Sequence, residues 1–139
     1  LQLENKGYHV QFVQWLRLCF ANKGLEVMDF SEQIAKMGRE NQKNFLRYGI
    51  SFLRECCLLL SGAGSLVHLP AAELDTAEKM TKVMIVEEAQ AIVAELEKAH
   101  YHVERNGNPK ILFLDVSLQI IKILSFKTIR QERAQYMPN

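Results

Sequence analysis

Glu97 and His100 have a spacing that supports metal chemistry on a helix. Residues three apart lie on one helical face, and helical bundles hold di-iron sites with Glu-x-x-His motifs of this kind. Such a site needs a second copy of the motif and further glutamates, and the sequence contains no second Glu-x-x-His. The usual meaning of the spacing is a partly exposed histidine on a charged face. A metal-binding bundle enzyme remains an alternative from a different class of function.

A row of basic residues is the second feature with possible chemistry. Lys43, Arg47 and Arg54 share one polar face of a predicted helix, where they are candidates for contact with phosphate groups or an acidic partner. Glu40 and Glu55 lie close by, and the row has no interleaved aromatic residues for base stacking. Such a row is usually a solvated face. A standalone nucleic-acid-binding helical domain is the second alternative.

The remaining candidates for catalysis have no supporting pattern. The segment Gly-Ala-Gly-Ser at residues 62–65 lacks the lysine of a phosphate-binding loop and does not follow a strand. His9, His68 and His102 have no serine, cysteine or carboxylate at a spacing that indicates an activated nucleophile. We therefore predict no catalytic residues, no metal ligands, no cofactor and no small-molecule substrate.

The composition is that of an ordinary soluble globular protein. The 139 residues fit one domain, with 48% hydrophobic and 24% charged residues. The net charge of +1 gives no general attraction to nucleic acid or anionic membrane. No apolar run approaches the roughly 20 residues of a membrane-spanning helix. The sequence starts with Leu1 rather than methionine, which favours a fragment of a longer chain.

Cysteine usage indicates a reducing compartment. Cys19, Cys56 and Cys57 form neither the even framework of a secreted disulfide protein nor a zinc-ligand spacing. Free cysteine is among the residues most often buried. We expect buried thiols in a cytoplasmic protein.

Apolar residues recur at steps of three and four along most of the chain, which is the period of an amphipathic helix. Gly49, within one apolar stripe, predicts a close crossing of two helices. No run alternates with period two for long enough to be a strand, so the predicted fold is all-α, a single bundle of five to six helices. The predicted helices cover about residues 9–21, 29–37, 39–61, 71–106 with a break near 81–85, and 109–129.

The turn between the last two predicted helices has well-defined chemistry. Asn106 and Gly107 can take the left-handed conformation that ends a helix, Asn108 can cap the next helix, and Pro109 suits its first position. Asn-Gly also favours a two-residue β-hairpin, but the proline would then lie in the returning strand, where it cannot donate a hydrogen bond. The pattern therefore favours one helix ending and another starting at once.

The predicted last helix is apolar around nearly its whole circumference. A helix on the surface of a small bundle normally buries only one stripe. Either this helix is central and is covered on all sides, or one flank is covered by a neighbouring subunit. The sequence leaves both open, and the second case predicts a subunit interface that includes Leu114, Leu118, Ile120, Ile121 and Ile123.

Three segments carry a resemblance to a known family. They read Asn-Gly-Asn-Pro-Lys-Ile-Leu-Phe at residues 106–113, Gly-Arg-Glu-Asn-Gln-Lys at 38–43 and Trp-Leu-Arg-Leu-Cys at 15–19. They resemble the C-terminal domain of delta-prime subunits of the bacterial DNA polymerase III clamp loader, whose corresponding motifs are Asn-Ala-Asn-Pro-Lys-Ile-Leu-Phe and Gly-Arg-Glu-x-Gln-Lys. Gly107 replaces the usual alanine. The resemblance covers most of the chain except residues 62–81.

The resemblance implies a collar domain, spanning residues 1–139, of a protein whose N-terminal nucleotide-binding module is absent from this sequence. Collar domains hold the pentameric clamp loader together while a sliding clamp is placed on primed DNA in replication. ATP hydrolysis would then belong to other modules, and this fragment would not be an enzyme. Its partners would be the other clamp-loader subunits, with DNA contacted only indirectly and no membrane contact.

The equivalent domain of the gamma/tau subunit is an alternative within the same class. The full gamma/tau chain would carry a Gly-x-x-x-x-Gly-Lys-Thr/Ser phosphate-binding loop. The upstream sequence of this protein would therefore distinguish the two.

Overall fold

A computed structural model describes the backbone of residues 2–136 and the side chains of residues 7–125. This part of the chain contains helices and no strand, so the predicted all-α class is confirmed. The six α-helices are α1 Gln2–Phe20, α2 Gly24–Ala35, α3 Arg39–Leu60, α4 Ala71–Met80, α5 Val86–Glu104 and α6 Pro109–Tyr136, with one short 3-10 helix, Gly64–Leu66.

Helix boundaries match the prediction better in the second half of the chain than in the first. The predicted break separates α4 from α5, and α6 begins at Pro109. However, α1 begins at Gln2 instead of near residue 9, and α2 begins at Gly24 instead of near residue 29. The start of α2 has no side-chain cap, so no capping residue marks it in the sequence. Helix α6 also extends past residue 129 to Tyr136.

Helices α1, α3 and α5 end in the same way. Each is followed by a residue in the left-handed conformation: Asn22 with φ 54°, Gly62 with φ 81° and Asn106 with φ 63°. The next residue then donates its N–H to the carbonyl five residues back, as Gly107 does to His102 at 2.9 Å. This Schellman arrangement satisfies carbonyls that the helix leaves without partners.

The turn between α5 and α6 has most of the predicted capping features. The Asn108 side-chain oxygen accepts the Ile111 N–H at 3.2 Å, which caps α6 ahead of Pro109. Gly107 is not left-handed. A Cβ at Gly107 would lie 2.8 Å from Leu112 Cδ1 and 3.1 Å from a carbonyl oxygen of α5. Close packing, and not a positive φ, therefore favours glycine at this position.

Aromatic rings from α1, α3 and α6 form the centre of the core. Phe12, Trp15, Phe45, Phe52 and Phe113 are each at most 1% exposed. Their ring centroids lie 5.5 Å apart for Trp15 and Phe45, and 5.9 Å apart for Phe12 and Phe45. Tilted and edge-to-face contacts of this kind add about 0.5–1.5 kcal/mol each to the burial of the rings.

Gly49 allows α1 and α3 to approach closely, as its place in the apolar stripe predicts. A Cβ at Gly49 would lie 2.3 Å from Phe12 Cε1, which is far inside van der Waals contact. The Phe12 ring is itself held by Phe45, Tyr48 and Phe52. The ring therefore has no free space into which it can retreat.

A buried hydrogen-bond network joins α1, α2 and α6. The Trp15 indole N–H donates to the Ser117 hydroxyl at 2.9 Å, and the hydroxyls of Ser31 and Ser117 lie 3.0 Å apart. Ser117 donates its one hydroxyl proton to the Phe113 carbonyl at 2.6 Å, so the proton of the Ser31–Ser117 bond comes from Ser31, whose other possible acceptor is the Val27 carbonyl oxygen at 2.8 Å. Both serines are at most 2% exposed, so the network satisfies polar groups that would otherwise be costly to bury.

The cysteines are free thiols, and Cys19 and Cys56 lie in the core. Burial raises the pKa of each of these two thiols to about 12. Cys57 is only half-buried, and burial raises its pKa as well. Cys19 and Cys56 are therefore protonated and unreactive in the folded protein at neutral pH, as expected for structural thiols.

Replacing Gly49 with alanine is expected to destabilise the protein by about 1–3 kcal/mol, because the new methyl group overpacks the Phe12 ring. Gly7→Ala is the matched control, since Gly7 also lies within a helix but has no atom within 4 Å of a built Cβ. That change should stabilise by roughly 0.5–1 kcal/mol through helix propensity alone. Urea unfolding followed by circular dichroism measures both, and equal effects of the two substitutions would contradict the close crossing.

Ser117→Ala is expected to cost about 1–3 kcal/mol, because it leaves the buried Trp15 N–H without an acceptor. Ser125→Ala provides the comparison: Ser125 lies on the same helix and also bonds a carbonyl one turn back, but it is exposed. Its loss should change the free energy of unfolding by no more than about 0.5 kcal/mol. Similar losses for both variants would mean that the network contributes nothing specific.

Candidate functional site

Helix α6 packs against the bundle with one side only. Phe113, Val116, Ile120 and Leu124 are at most 3% exposed and occupy the inner side. On the outer side, Ile111 is 65% and Leu118 is 53% exposed. The described part of α6 is therefore not a central helix covered on all sides by its own chain.

The residues predicted for a subunit interface lie in different environments. Ile120 is fully buried and contacts this chain's own core. Ile121 and Ile123 are half-buried and pack against the core from opposite flanks. Leu114 is half-buried, and Leu118 is the most exposed of the set. Leu114, Leu118 and Ile121 share one flank of α6 at helical spacing.

Helix α2 runs antiparallel to α6 along this same flank. Ser31 of α2 bonds Ser117, and Glu32 pairs with Lys110 at 3.3 Å, so later residues of α2 meet earlier residues of α6. Earlier residues of α2 therefore lie beside the middle of α6. One of them, Met28, is one helical turn before Glu32 on the same side of α2.

Two helices thus contribute to one exposed apolar surface, the α2–α6 face. Leu25 and Met28 of α2 are 80% and 46% exposed, and helical periodicity from Glu32 places Met28 on the side of α2 that faces α6, with Leu25 one turn earlier. Single exposed apolar residues are normal, but a contiguous group of them marks an interaction site. The α2–α6 face consists of Leu25, Met28, Ile111, Leu114, Leu118 and Ile121.

Leu25 and Met28 are absent from the predicted interface because the predicted second helix began after them. With α2 starting at Gly24, both residues fall outside the buried stripe that contains Phe30 and Ile34. Their outward position was therefore readable from helical periodicity. The prediction missed these two residues because it left out the first turn of α2, which no capping residue marks.

The basic row and the Glu-x-x-His pair face the same groove, between α3 and α5. This groove has a volume of about 610 Å³ and is open to solvent. Its lining includes Arg47 and Arg54 of the basic row together with Glu97 and His100. No sequence pattern indicates that the basic row and the Glu-x-x-His pair meet, since they are about fifty residues apart in the chain.

Two of the three basic residues already have acidic partners. Arg54 Nη2 lies 3.3 Å from Glu97 Oε1. Lys43 Nζ lies 3.3 Å from Glu40 Oε2 and 3.8 Å from Glu104 Oε1. The Lys43–Glu104 and Arg54–Glu97 pairs join α3 to α5, so the groove is crossed by ion pairs and is not a uniformly positive surface.

His100 stands in the groove between these ion pairs. Its Nε2 is buried and has no hydrogen-bond partner among the described residues. Burial lowers the pKa of His100, the nearby Arg47 and Lys43 lower it further, and Glu104 opposes them. The Glu97 carboxylate is already paired with Arg54. In the described part of the chain, no three His, Cys, Asp or Glu residues lie together in a way that could hold a metal ion.

A second group of titratable residues joins α1, α3 and α4. The Tyr48 hydroxyl donates to the Glu73 carboxylate and also lies within hydrogen-bond distance of His9 Nδ1. Nδ1 is 3.7 Å from Glu73 Oε1. Because the single hydroxyl proton goes to Glu73, His9 must donate its Nδ1 proton to Tyr48. Sequence spacing could not reveal this group, because its members lie on three separate helices.

The pKa values of this group follow from its burial. Burial lowers the pKa of His9. The negative charge of Glu73 raises this pKa, and the positive charge of Arg17 lowers it further. Burial and the hydrogen bond to Glu73 raise the pKa of Tyr48. The folded state therefore favours neutral His9 and neutral Tyr48. These hydrogen bonds fasten α4 to α1 and α3.

No protein family model, curated protein or solved structure was found to match this chain. Within the described residues, no helix has both the length and the apolar character to cross a membrane.

His9 should make stability dependent on pH. The pKa of His9 is lowered in the folded state, so below about 6.5 the unfolded chain binds more protons. Stability from His9 is thus fully present above that pH and is lost as the pH falls through the folded-state value. We expect the urea midpoint to fall more between pH 7.5 and pH 5.5, roughly the window of the shift, for the wild type than for His9→Gln. A steeper fall for the variant would contradict a buried neutral imidazole.

Proposed function

We propose that this chain is a helical assembly domain whose α2–α6 face packs against a helical domain of another subunit. More specifically, we propose that it is the collar domain of a clamp-loader delta-prime subunit of bacterial DNA polymerase III. The observation that carries the proposal is the exposed apolar α2–α6 face. The domain then acts as a scaffold in DNA replication and performs no chemistry itself.

The size of the α2–α6 face suits association within a larger assembly. Leu25, Met28, Ile111 and Leu118 together expose the equivalent of between two and three whole side chains. Covering that area is worth roughly 4–7 kcal/mol, and an equal apolar area on the partner doubles it. Association costs about 4–15 kcal/mol in lost freedom of motion. One such contact gives moderate affinity, and several contacts in a closed ring give a stable complex.

The structural context of the face also supports a rigid docking surface. The hydrogen bonds of Ser31 and Ser117 fix α2 against α6. The cap at Asn108 and the turn before it fix the start of α6, and with it the position of Ile111. Side chains held on rigid elements lose little entropy when a partner covers them.

The resemblance at residues 106–113, 38–43 and 15–19 supports the choice of a clamp loader over an unspecified complex. These segments form the turn before α6, the start of α3 and the middle of α1 in this bundle. Gly107 is where the chain departs from the family's alanine, and here an alanine would require Leu112 to shift. The upstream sequence tests the choice between delta-prime and gamma/tau, as a phosphate-binding loop with its lysine would favour gamma/tau.

Leu118→Asp in the full-length protein is expected to weaken assembly at least about tenfold, because it places a charge in an apolar contact. The variant is mixed with the other clamp-loader subunits of the same source, and the mass of the complex is measured by light scattering. Circular dichroism should be unchanged, since Leu118 is exposed. Met28→Asp on the neighbouring helix should have the same effect.

Two further variants make this result specific. Val10→Asp places a charge on α1 at a residue that is 66% exposed and outside the α2–α6 face, and it should assemble normally. Ile120→Asp should lose helicity, because Ile120 is fully buried. Normal assembly of Leu118→Asp and Met28→Asp, or an equal defect in Val10→Asp, would refute the proposed face.

A further inference from the structure

The α2–α3 turn and the α5–α6 turn meet at one end of the bundle and form a polar groove, the corner groove. It has a volume of about 460 Å³, and its lining includes Gly38, Arg39 and Gln42 from the first turn and Asn106 and Asn108 from the second. Among the described residues that line it, only Arg39 is charged. The corner groove therefore combines one positive charge with several polar groups.

The first turn of α3 leaves its backbone N–H groups unused at this groove. Its N-cap residue is Gly38, which has no side chain to cap the helix. The first bonded N–H is that of Gln42, which donates to the Gly38 carbonyl at 3.0 Å. The N–H groups of Arg39, Glu40 and Asn41 have no partner among the described residues. Free N–H groups and the helix dipole both attract an anion to such a helix start.

Gln42 gives a separate indication of a ligand. Its side chain is only 3% exposed, and its Nε2 donates to the Ile34 carbonyl at 3.3 Å and to the Ala35 carbonyl at 2.9 Å. These two acceptors fix which end of the amide is the nitrogen. The amide oxygen Oε1 has no partner among the described residues and is not sealed from solvent. Because Gln42 lines the corner groove, a donor for this oxygen can come from a molecule bound there.

We propose that the corner groove binds a phosphate group that carries a proton, either inorganic phosphate or a phosphate monoester. Its unprotonated oxygens accept hydrogen bonds from the N–H groups that begin α3 and from the Arg39 guanidinium. Its P–O–H group donates to Gln42 Oε1. Asn108 offers a further donor, Nδ2, because its Oδ1 already accepts the Ile111 N–H at 3.2 Å. The second pKa of a phosphate monoester is about 6, so the protonated form is well populated at pH 6.

The acceptor on Gln42 distinguishes a protonated phosphate from other anions. Carboxylate, sulfate and phosphodiester groups carry no proton at neutral pH, so each of them would turn a lone pair towards Oε1. A phosphate with one proton satisfies the donors of α3 and the acceptor of Gln42 together. The groove therefore selects by hydrogen bonding and not by charge alone.

The charges around the corner groove favour an anion. Arg39 makes no hydrogen bond or ion pair with a described residue, so its charge is uncompensated. The acidic neighbours Glu40 and Glu32 are paired with Lys43 and Lys110, each at 3.3 Å. In residues 32–43 and 103–110, the cations outnumber the acids by five to three: Lys36, Arg39, Lys43, Arg105 and Lys110 against Glu32, Glu40 and Glu104.

Backbone amide NMR of the intact chain tests the proposal. Sodium phosphate and sodium sulfate are titrated separately at pH 6 and constant ionic strength, with sodium chloride as the replaced salt. The amides of Arg39, Glu40 and Asn41 should shift saturably with phosphate, with a dissociation constant on the order of 1–20 mM. Sulfate should bind at least about threefold more weakly, although it is a dianion and phosphate at this pH is mainly a monoanion. A linear drift without saturation, or sulfate binding as tight as that of phosphate, overturns the proposal.

Matched variants separate this site from general charge effects. Arg39→Gln should weaken phosphate binding by about fivefold or more. Arg47→Gln, about 12 Å further along α3 and outside the lining of the corner groove, should leave it unchanged. An equal response of the two variants contradicts the site.

Gln42→Met tests the acceptor, because it should remove the preference for phosphate over sulfate. Gln42 also bonds α2, so circular dichroism is measured on the same sample. A folded variant that keeps the preference overturns the role of Gln42. If the variant unfolds, the comparison of the two anions on the wild type still decides the question.

The source of the phosphate is distinguished by two further probes. If N-acetylphosphoserine amide binds as tightly as inorganic phosphate, the ligand is a phosphorylated side chain of a partner, and if only inorganic phosphate binds, the ligand is the free ion. Both results support the site. Dimethyl phosphate models a nucleic-acid backbone and has no proton to donate. Tighter binding of dimethyl phosphate than of inorganic phosphate would overturn the assignment of the ligand.

Discussion

The hydrogen bond from the Trp15 indole to the Ser117 hydroxyl is buried where α1, α2 and α6 meet, and it constrains the arrangement of the whole bundle. Ser31 bonds the same hydroxyl, so α2 must lie along one particular flank of α6. A buried polar network of this kind is favourable only when every member is satisfied, and few helix placements satisfy all three residues at once. The exposed apolar face follows from this constraint, because the outer sides of α2 and α6 are brought together and no other described helix covers them.

Helix α3 organises the other half of the molecule by two different kinds of contact. Towards α1 it offers Gly49, whose missing side chain admits the Phe12 ring. Towards α5 it carries a row of cations that meets acidic residues at Glu97 and Glu104. Exposed ion pairs contribute little to stability, at most about 1 kcal/mol each. The α1 contact therefore supplies stability, and the charged row orients α5 and shapes the groove around His100.

The sequence predicted the features that depend on local chemistry. The break before α5, the cap at Asn108 and the glycine at the α1–α3 crossing all arise from the intrinsic preferences of nearby residues. Features that depend on distant partners were missed. In the sequence, Ser117 interrupts the apolar pattern of the last helix like a surface residue, yet it is completely buried because its partner Trp15 is about a hundred positions away. The carboxylate of Glu73 beside His9 and the meeting of Arg47 with His100 are equally non-local. Which flank of α6 stays exposed depends on where α2 packs. The periodicity of α6 alone cannot predict that position.

The buried thiols give this bundle an internal means of reporting its own local opening. Cys19 lies beneath the network, with Sγ 3.8 Å from the Ser117 carbonyl oxygen, and Cys56 lies in the core on α3. Because only an exposed thiolate reacts with alkylating reagents, modification of Cys19 requires α1 to separate from α6, and modification of Cys56 requires α3 to leave the core. The half-buried Cys57 provides a reference for the closed state. Alkylation rates at the three positions thus measure the free energies of separate opening motions in the unlabelled natural protein.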